Sequence, residues 1–155
     1  MSATCVLERI ALALKAKLET LVTSGVAAAV YRPQRGGRTP PKAHKQIILV
    51  QETPTQQKAP HGFTQWAQPF RADLLVIPDD TDTTAVDSTV NEFRAKVEKA
   101  LLTDPQFATT AFAGAVIDTA IKDAIPFDPS EKLDGVSVVF EVAYRHRRAD
   151  PYSWT

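Results

Sequence analysis

The chain has 155 residues, of which 44% are apolar and 23% are charged, and its 18 basic and 18 acidic side chains give a formal net charge of zero at pH 7. This composition is typical of one globular domain and excludes a disordered chain, a collagen-like chain and a coiled-coil rod. With Cys5 as its single cysteine, the chain by itself can form neither a disulfide nor a zinc site of two or four cysteines, which fits a reducing compartment. It has neither a secretory signal nor a run of 18 apolar residues, so we expect a protein that is not secreted and does not span a membrane.

The first half of the chain predicts one helix followed by three strands. Apolar residues recur at steps of three and four from Thr4 to Thr23, and Gly25 follows where a C-terminal helix cap belongs. Strands are predicted at 26–31, 47–50 and 67–77, separated by polar, proline-rich loops at 32–45 and 53–62. Pro69 predicts an edge position or a bulge for the third strand, because proline cannot donate a hydrogen bond inside a sheet.

The second half predicts a helix at 84–102, with a buried stripe formed by Val86, Val90, Phe93, Val97 and Leu101. The stretch 107–125 permits either a helix or a strand at 116–124, and we take the strand. Strict alternation at 136–145 predicts the last strand. Together these elements predict a single α+β domain over residues 1–155. Its sheet is mixed or antiparallel, with four to five strands and two main helices packed on it, long loops, and an extended C-terminal tail at 147–155.

Side chains that could carry catalysis are sparse. The three histidines, His44, His61 and His146, are not accompanied by a nucleophile motif. The densest acidic group is best explained by helix capping, because it lacks the spacing of a calcium loop; its members are Asp79, Asp80 and Asp82. We therefore expect no catalytic residue, no metal ion and no cofactor, and a protein that is not an enzyme but acts by binding other proteins.

Positive charge is concentrated in two places. The first is the loop at 32–45, whose cations are Arg32, Arg35, Arg38, Lys42 and Lys45; the second is the run 145–148 at the end of the last strand. Such cations can bind phosphates by releasing counterions, but a merely solvated surface and contact with an acidic protein are alternatives. No aromatic residue is interleaved within either run, which argues against a dedicated binder of single-stranded nucleic acid.

The C-terminal segment combines Arg147 and Arg148 with two large aromatic residues, Tyr152 and Trp154. Aromatic side chains are common anchors of protein interfaces because they bury much area at little entropic cost. These four residues therefore form a candidate interface. The alternative is that the aromatic residues fold back onto the chain's own core.

The order of these elements resembles the tail terminator, or tail completion, proteins of long-tailed (siphovirus-type) phages and gene transfer agents. The likeness spans nearly the whole chain, and it is carried by 7–10 in the first helix, 30–32 before the basic loop, the strand at 66–77, the helix end at 100–105, and 140–146 leading to 150–152. The order and the last strand with its Asp-Pro-Tyr extension carry most of the likeness.

The resemblance implies a structural virion protein. It would form a ring, usually of six copies, at the head-proximal end of the tail tube, where it ends tube growth and offers a joining surface to the head. The implied partners are other copies of the chain, the major tail tube protein, a head-completion (stopper) protein and DNA passing through the lumen, with no membrane partner. The implied location is the neck region of the virion tail, after assembly in the cytoplasm of the host bacterium. The alternatives are a head-closure or connector adaptor of the neck and a small nucleic-acid-binding protein acting through its basic loop.

Overall fold

A computed structural model describes residues 4–33, 44–77, 86–128 and 134–155. The two helices are α1 (Val6–Thr23) and α2 (Val86–Leu102), and the strands are β1 (Ala29–Tyr31), β2 (Lys45–Gln51), β3 (Thr55–Gln57), β4 (Phe63–Val76), β5 (Val116–Pro126) and β6 (Asp134–Arg147). The α+β class predicted from the sequence is confirmed, and the strand predicted at 116–124 is present as β5. The described sheet has one strand more than expected, because β3 lies within the predicted loop 53–62.

The strands form one open sheet in the order β1-β2-β4-β6-β5, and β3 also pairs with β4. The pairing of β1 with β2 is parallel, whereas every other described pairing is antiparallel. The two longest strands, β4 and β6, pair along their whole length, from Phe63 opposite Arg147 to Val76 opposite Asp134. They form the centre of the sheet and decide which side chains share each of its two faces.

Helix α1 ends where the sequence predicts. Gly25 adopts a φ of +80°, which glycine tolerates without strain. Its N–H donates to the carbonyl of Val22 at 3.1 Å, and the N–H of Val26 donates to the carbonyl of Leu21 at 2.8 Å. These are the two bonds of a Schellman motif, so the cap predicted from Gly25 is confirmed.

Both helices pack on one face of the sheet and enclose the core with it. The rings of Phe70 on β4 and Phe140 on β6 stack at its centre, with centroids 5.6 Å apart. The predicted stripe of α2 is only partly buried, because Val86 and Val90 remain partly exposed. They line an open cavity of about 540 Å³ between the start of α2 and the end of β5.

The prediction that Pro69 marks a sheet edge is wrong, because β4 is central, but the alternative of a bulge is confirmed on the side of β2 and β3. There Gln51 pairs with Phe70 and Thr55 with Ala67, so the three residues 52–54 lie opposite only two residues of β4. Pro69 lies beside Glu52, in the gap between β2 and β3, and its carbonyl accepts the Glu52 N–H at 3.0 Å. Proline has no N–H, so Pro69 cannot donate the second hydrogen bond of the pair to the Glu52 carbonyl. The buried side chain of Gln68 does so instead, since its Nε2 donates to the Glu52 carbonyl at 2.7 Å. A side-chain amide thus replaces the missing backbone donor.

Candidate binding surfaces

The described part of the predicted basic loop does not form a free cluster of cations. Arg32 makes a two-point ion pair with Glu8 on α1, with nitrogen-to-oxygen distances of 2.7 and 3.2 Å. The hydrogen bond from Arg32 lowers the pKa of Glu8 below its usual value, against an opposing effect of burial. Lys45 begins β2. The other three predicted loop residues, Arg35, Arg38 and Lys42, lie outside the described residues, so the contact predicted for them stays a prediction.

The second basic run is built into β6, where alternation of side chains separates its members onto two faces. Arg145 and Arg147 lie on the face away from the helices, where they pair with the first residues of β4. Phe63 begins that strand. The distance from the centroid of its ring is 4.9 Å to the guanidinium carbon of Arg145 and 5.7 Å to that of Arg147. No aromatic residue is interleaved within this run itself, but the pairing of distant strands places Phe63 beside it.

His146 points to the opposite face, and both of its ring nitrogens are hydrogen-bonded. The indole N–H of Trp66 donates to its Nε2 at 3.3 Å, and its Nδ1 donates to the carbonyl of Arg147 at 2.7 Å. An indole can only donate and a carbonyl can only accept, so in these contacts Nε2 is the acceptor and Nδ1 is the donor. The neighbouring Tyr144 is largely buried, and that burial raises its pKa to about 12, with a smaller contribution from the charge of Cys5. On this face of β6, the side chains of Tyr144 and His146 therefore make contacts within the domain.

The arginine patch, defined as Phe63, Arg145, Arg147 and Arg148, gathers cations that lack carboxylate partners. Elsewhere on the described surface, the cations within 4.0 Å of a carboxylate are Lys15, Arg32, Arg71, Arg94, Lys96 and Lys122. Among the described residues, no carboxylate contacts the guanidinium of Arg145 or of Arg148, and the buried Nε of Arg145 has no hydrogen-bond partner. Arg147 donates through its Nε to the main-chain oxygen of Thr155. Within the described residues, Arg145 and Arg148 therefore have no carboxylate within 4.0 Å, while Asp150 lines the same cavity as Arg147 and Arg148.

The prediction of an extended C-terminal tail at 147–155 is wrong, because the segment turns back on the domain. The Arg147 N–H donates to the Ser153 carbonyl at 2.7 Å, and the Pro151 carbonyl accepts the N–H of Val6 at 3.0 Å. Trp154 packs partly buried against the core. Its indole N–H donates to the carbonyl of Ala113 at 3.2 Å. Of the two predicted aromatic anchors, Trp154 is therefore engaged within the chain.

The guanidinium of Arg9 stacks 5.1 Å from the centroid of the Trp154 ring and completes its enclosure from α1. Tyr152 remains 46% exposed and stays a candidate contact residue. Arg148 lies at the surface beside the turn at Gly62, whose carbonyl accepts the Arg148 N–H at 2.9 Å. Tyr152, Arg147 and Arg148 are thus the exposed members of the predicted C-terminal interface, and contact with a partner through any of its four residues stays a prediction.

The sheet face away from the helices, which we call the outer face, combines apolar side chains with a central ion-pair network. Its partly exposed apolar residues come from four strands and are Tyr31, Ile48, Val50, Leu75 and Val139. Between them, Arg71 donates to Asp73 and to Glu52, each at 2.8 Å. The hydrogen bond to Asp73 raises the pKa of Arg71. In the described ranges both helices pack on the other side of the sheet, so this face carries no helix.

The histidines outside β6 are far apart in the fold. His44 donates from Nδ1 to the carbonyl of Ile77, just beyond the end of β4, whereas His61 lies in the turn before β4 begins. In the part of the chain that the structure describes, no group of three or more histidine, cysteine, aspartate or glutamate side chains could hold a metal ion. The acidic group at 79–82 lies outside that part.

None of the described helices is both long and apolar enough to cross a membrane. A scan of the sequence against models of protein families found no matching family. A search among curated proteins found no match either. A functional assignment for this chain therefore rests on its own sequence and surfaces.

Proposed function

We propose that this chain is a tail terminator, or tail completion, protein of a long-tailed phage or a gene transfer agent. In this role it is a structural virion protein that forms a ring at the head-proximal end of the tail tube. The ring ends tube polymerisation and provides the surface to which the head joins. The resemblance in element order supports this role, and the work is done by self-assembly and docking without catalysis.

The outer face is the observation that carries the proposal. A largely antiparallel sheet can leave one face in water, and that face is then usually polar. Here the outer face carries no helix within the described residues but holds apolar side chains. Apolar side chains left at a surface mark sites of protein association when they lie side by side. Ile48 and Val50 alternate along β2, and Leu75 lies diagonally across on β4. A neighbouring subunit would cover them.

A closed ring requires that this face meet a different patch on the next copy, because contacts in a cyclic ring are heterologous. The helical side of the molecule offers such a patch. Leu12 on α1 is 51% exposed and Leu102 at the end of α2 is 41% exposed. We propose that the outer face of one copy packs against the helical side of the next, in a ring of six copies.

The same proposal implies further binding partners and a location in the virion. The two rims of the ring would contact the major tail tube protein and a head-completion protein, and DNA would pass through its lumen. The protein would be found in the neck region of the virion tail after assembly in the bacterial cytoplasm.

Light scattering after size exclusion, with negative-stain imaging of large species, tests the assembly. We expect a species of six times the 17.0 kDa chain mass, visible as rings. Val50→Lys places a charge on the outer face and should leave monomers, whereas Gln56→Lys adds the same charge to the exposed strand β3 and should leave the rings intact. Monomers at every concentration of the natural chain would contradict ring formation, and rings of the Val50→Lys variant would remove the outer face from the interface.

A further inference from the structure

We propose that the arginine patch binds the phosphate backbone of duplex DNA. The patch belongs to the single chain, so the proposal does not depend on assembly into a ring. It also concerns a different surface from the basic loop at 32–45, whose Arg32 is neutralised by Glu8.

Two arginines without a carboxylate contact lie close together at one end of the described sheet. The protein as a whole is neutral, and cations such as Lys15 and Arg71 contact carboxylates. At the end of β6, Arg145 and Arg148 have no such contact within the described ranges. The Arg145 side chain instead contacts the ring of Phe63. Unneutralised guanidinium groups concentrated in one place favour an anionic partner.

The guanidinium groups are held in a geometry that suits phosphate. Arg145 and Arg147 are two residues apart on one face of a strand, which places their backbones about 7 Å apart. The guanidinium carbons of both groups lie within 4.9 and 5.7 Å of the Phe63 ring centroid, and this contact restricts the positions of the two groups. A planar, pre-oriented guanidinium group matches the oxygen atoms of a phosphate in a two-point contact.

The row of arginines suits the density of phosphates on duplex DNA. Each strand of the duplex carries one phosphate per roughly 3.4 Å of helix axis, so two arginines whose backbones lie about 7 Å apart can each reach a phosphate of the same strand. Arg148 follows in the turn after β6 and adds a third cation at the surface. Such contacts position a protein on DNA without reading its sequence.

The aromatic residues near the patch favour duplex over single-stranded DNA. Binding of single strands uses rings on which bases stack. Here the Phe63 ring is already occupied by two guanidinium groups, and the Trp66 indole faces the other side of the sheet, bonded to His146. We therefore expect the patch to contact the phosphate backbone of DNA and not to stack on its bases.

Fluorescence anisotropy of a labelled duplex of about 25 base pairs, titrated with the full chain between about 50 and 200 mM salt, tests the proposal. The test variant is Arg145→Gln with Arg148→Gln. The matched control is Lys15→Gln with Lys96→Gln, which removes two positive charges that are paired with carboxylates. We expect the slope of log K against log salt to fall by about 1.8 in the test variant, from two lost phosphate contacts, and to stay unchanged in the control.

Arg145 is partly buried, so its substitution could weaken binding by unfolding the chain. Two further variants that leave Arg145 in place separate the two causes. Arg148→Glu changes a surface residue and should weaken binding at least as much as Arg148→Gln, with an unchanged thermal unfolding midpoint. Phe63→Leu keeps an apolar residue but removes the ring that restricts the guanidinium groups, and it should weaken binding roughly two- to fivefold.

Three results would overturn the proposal. The natural chain could fail to bind the duplex at the lowest salt. The control could lose as much affinity as the test variant, which would leave net charge as the cause. Finally, a poly-glutamate peptide of similar length could compete with the duplex at equal concentration of charge, which would assign the patch to an acidic protein surface.

Discussion

Replacing Trp154 with alanine separates the two roles that an aromatic residue near the C-terminus can have. If Trp154 anchors the returning C-terminal segment, as its contacts with Ala113 and Arg9 indicate, the substitution lowers the stability of the single chain. If the residue served only at an interface between subunits, the substitution would change assembly and leave the stability of the chain unaltered.

The expected loss can be worked out from those contacts. A packed tryptophan buries roughly 150–250 Å², so a partly buried one shields about 100 Å², which is worth about 2.5 kcal/mol at 25 cal/mol per Å². The stacking with Arg9 adds about 0.5–1 kcal/mol, and the indole hydrogen bond adds about 1 kcal/mol. Together these contributions amount to about 4–4.5 kcal/mol. Release of only the last one or two residues returns conformational entropy worth about 2 kcal/mol, at roughly 1–2 kcal/mol for each residue, so the net loss should be about 2 kcal/mol.

Urea unfolding followed by far-ultraviolet circular dichroism measures this loss. Trp154→Phe keeps most of the packing and removes only the indole donor, so it should lose about 1 kcal/mol. Tyr152→Ala, at a neighbouring residue that is 46% exposed, should change the free energy of unfolding by less than about 0.5 kcal/mol. A Trp154→Ala variant as stable as the natural chain would refute the anchoring role.

Two more substitutions test the packing and the charges. A Cβ on Gly135 would overlap the Leu74 carbonyl oxygen, so Gly135→Ala should lose roughly 3 kcal/mol in the same urea assay, and a loss below about 1 kcal/mol would contradict so close an approach. Arg32→Gln should cost about 0.5 kcal/mol at pH 7, since the ion pair with Glu8 is partly exposed. Because the fold lowers the pKa of Glu8, this contribution is present above its ordinary value of 4.5 and disappears as the pH falls through the lowered value. A difference that persisted unchanged once Glu8 is protonated would point to another cause.

The elements that the sequence predicts well are those whose side chains alternate or repeat against one core. Helix α1 and strands β4 and β6 each bury one regular set of apolar residues, and that regularity is visible in the chain. Strand β3 has no such signal, because Thr55, Gln56 and Gln57 are all exposed and are held by pairing with the backbone of β4. Its existence depends on a partner strand that local patterning cannot supply.

The surfaces were harder to predict because they depend on contacts between residues distant in sequence. Phe63 joins the basic run only through the register of β4 and β6. Pro69 lies in a central strand because the side chain of Gln68 supplies the donor that proline lacks. The aromatic tail turns back because the Ala113 carbonyl and α1 receive Trp154. In each case a tertiary contact decides between alternatives that the local sequence leaves open.

Electron microscopy of tail tubes tests whether this chain ends tube growth. Tubes of the particle that encodes the chain would be mixed with gold-labelled protein and imaged without heads attached. For a terminator ring we expect label at one end of each tube, the end that joins the head, and no further growth there when free tube protein is added. Label along the tube walls, label at neither end, or continued growth at the labelled end would contradict a terminator ring.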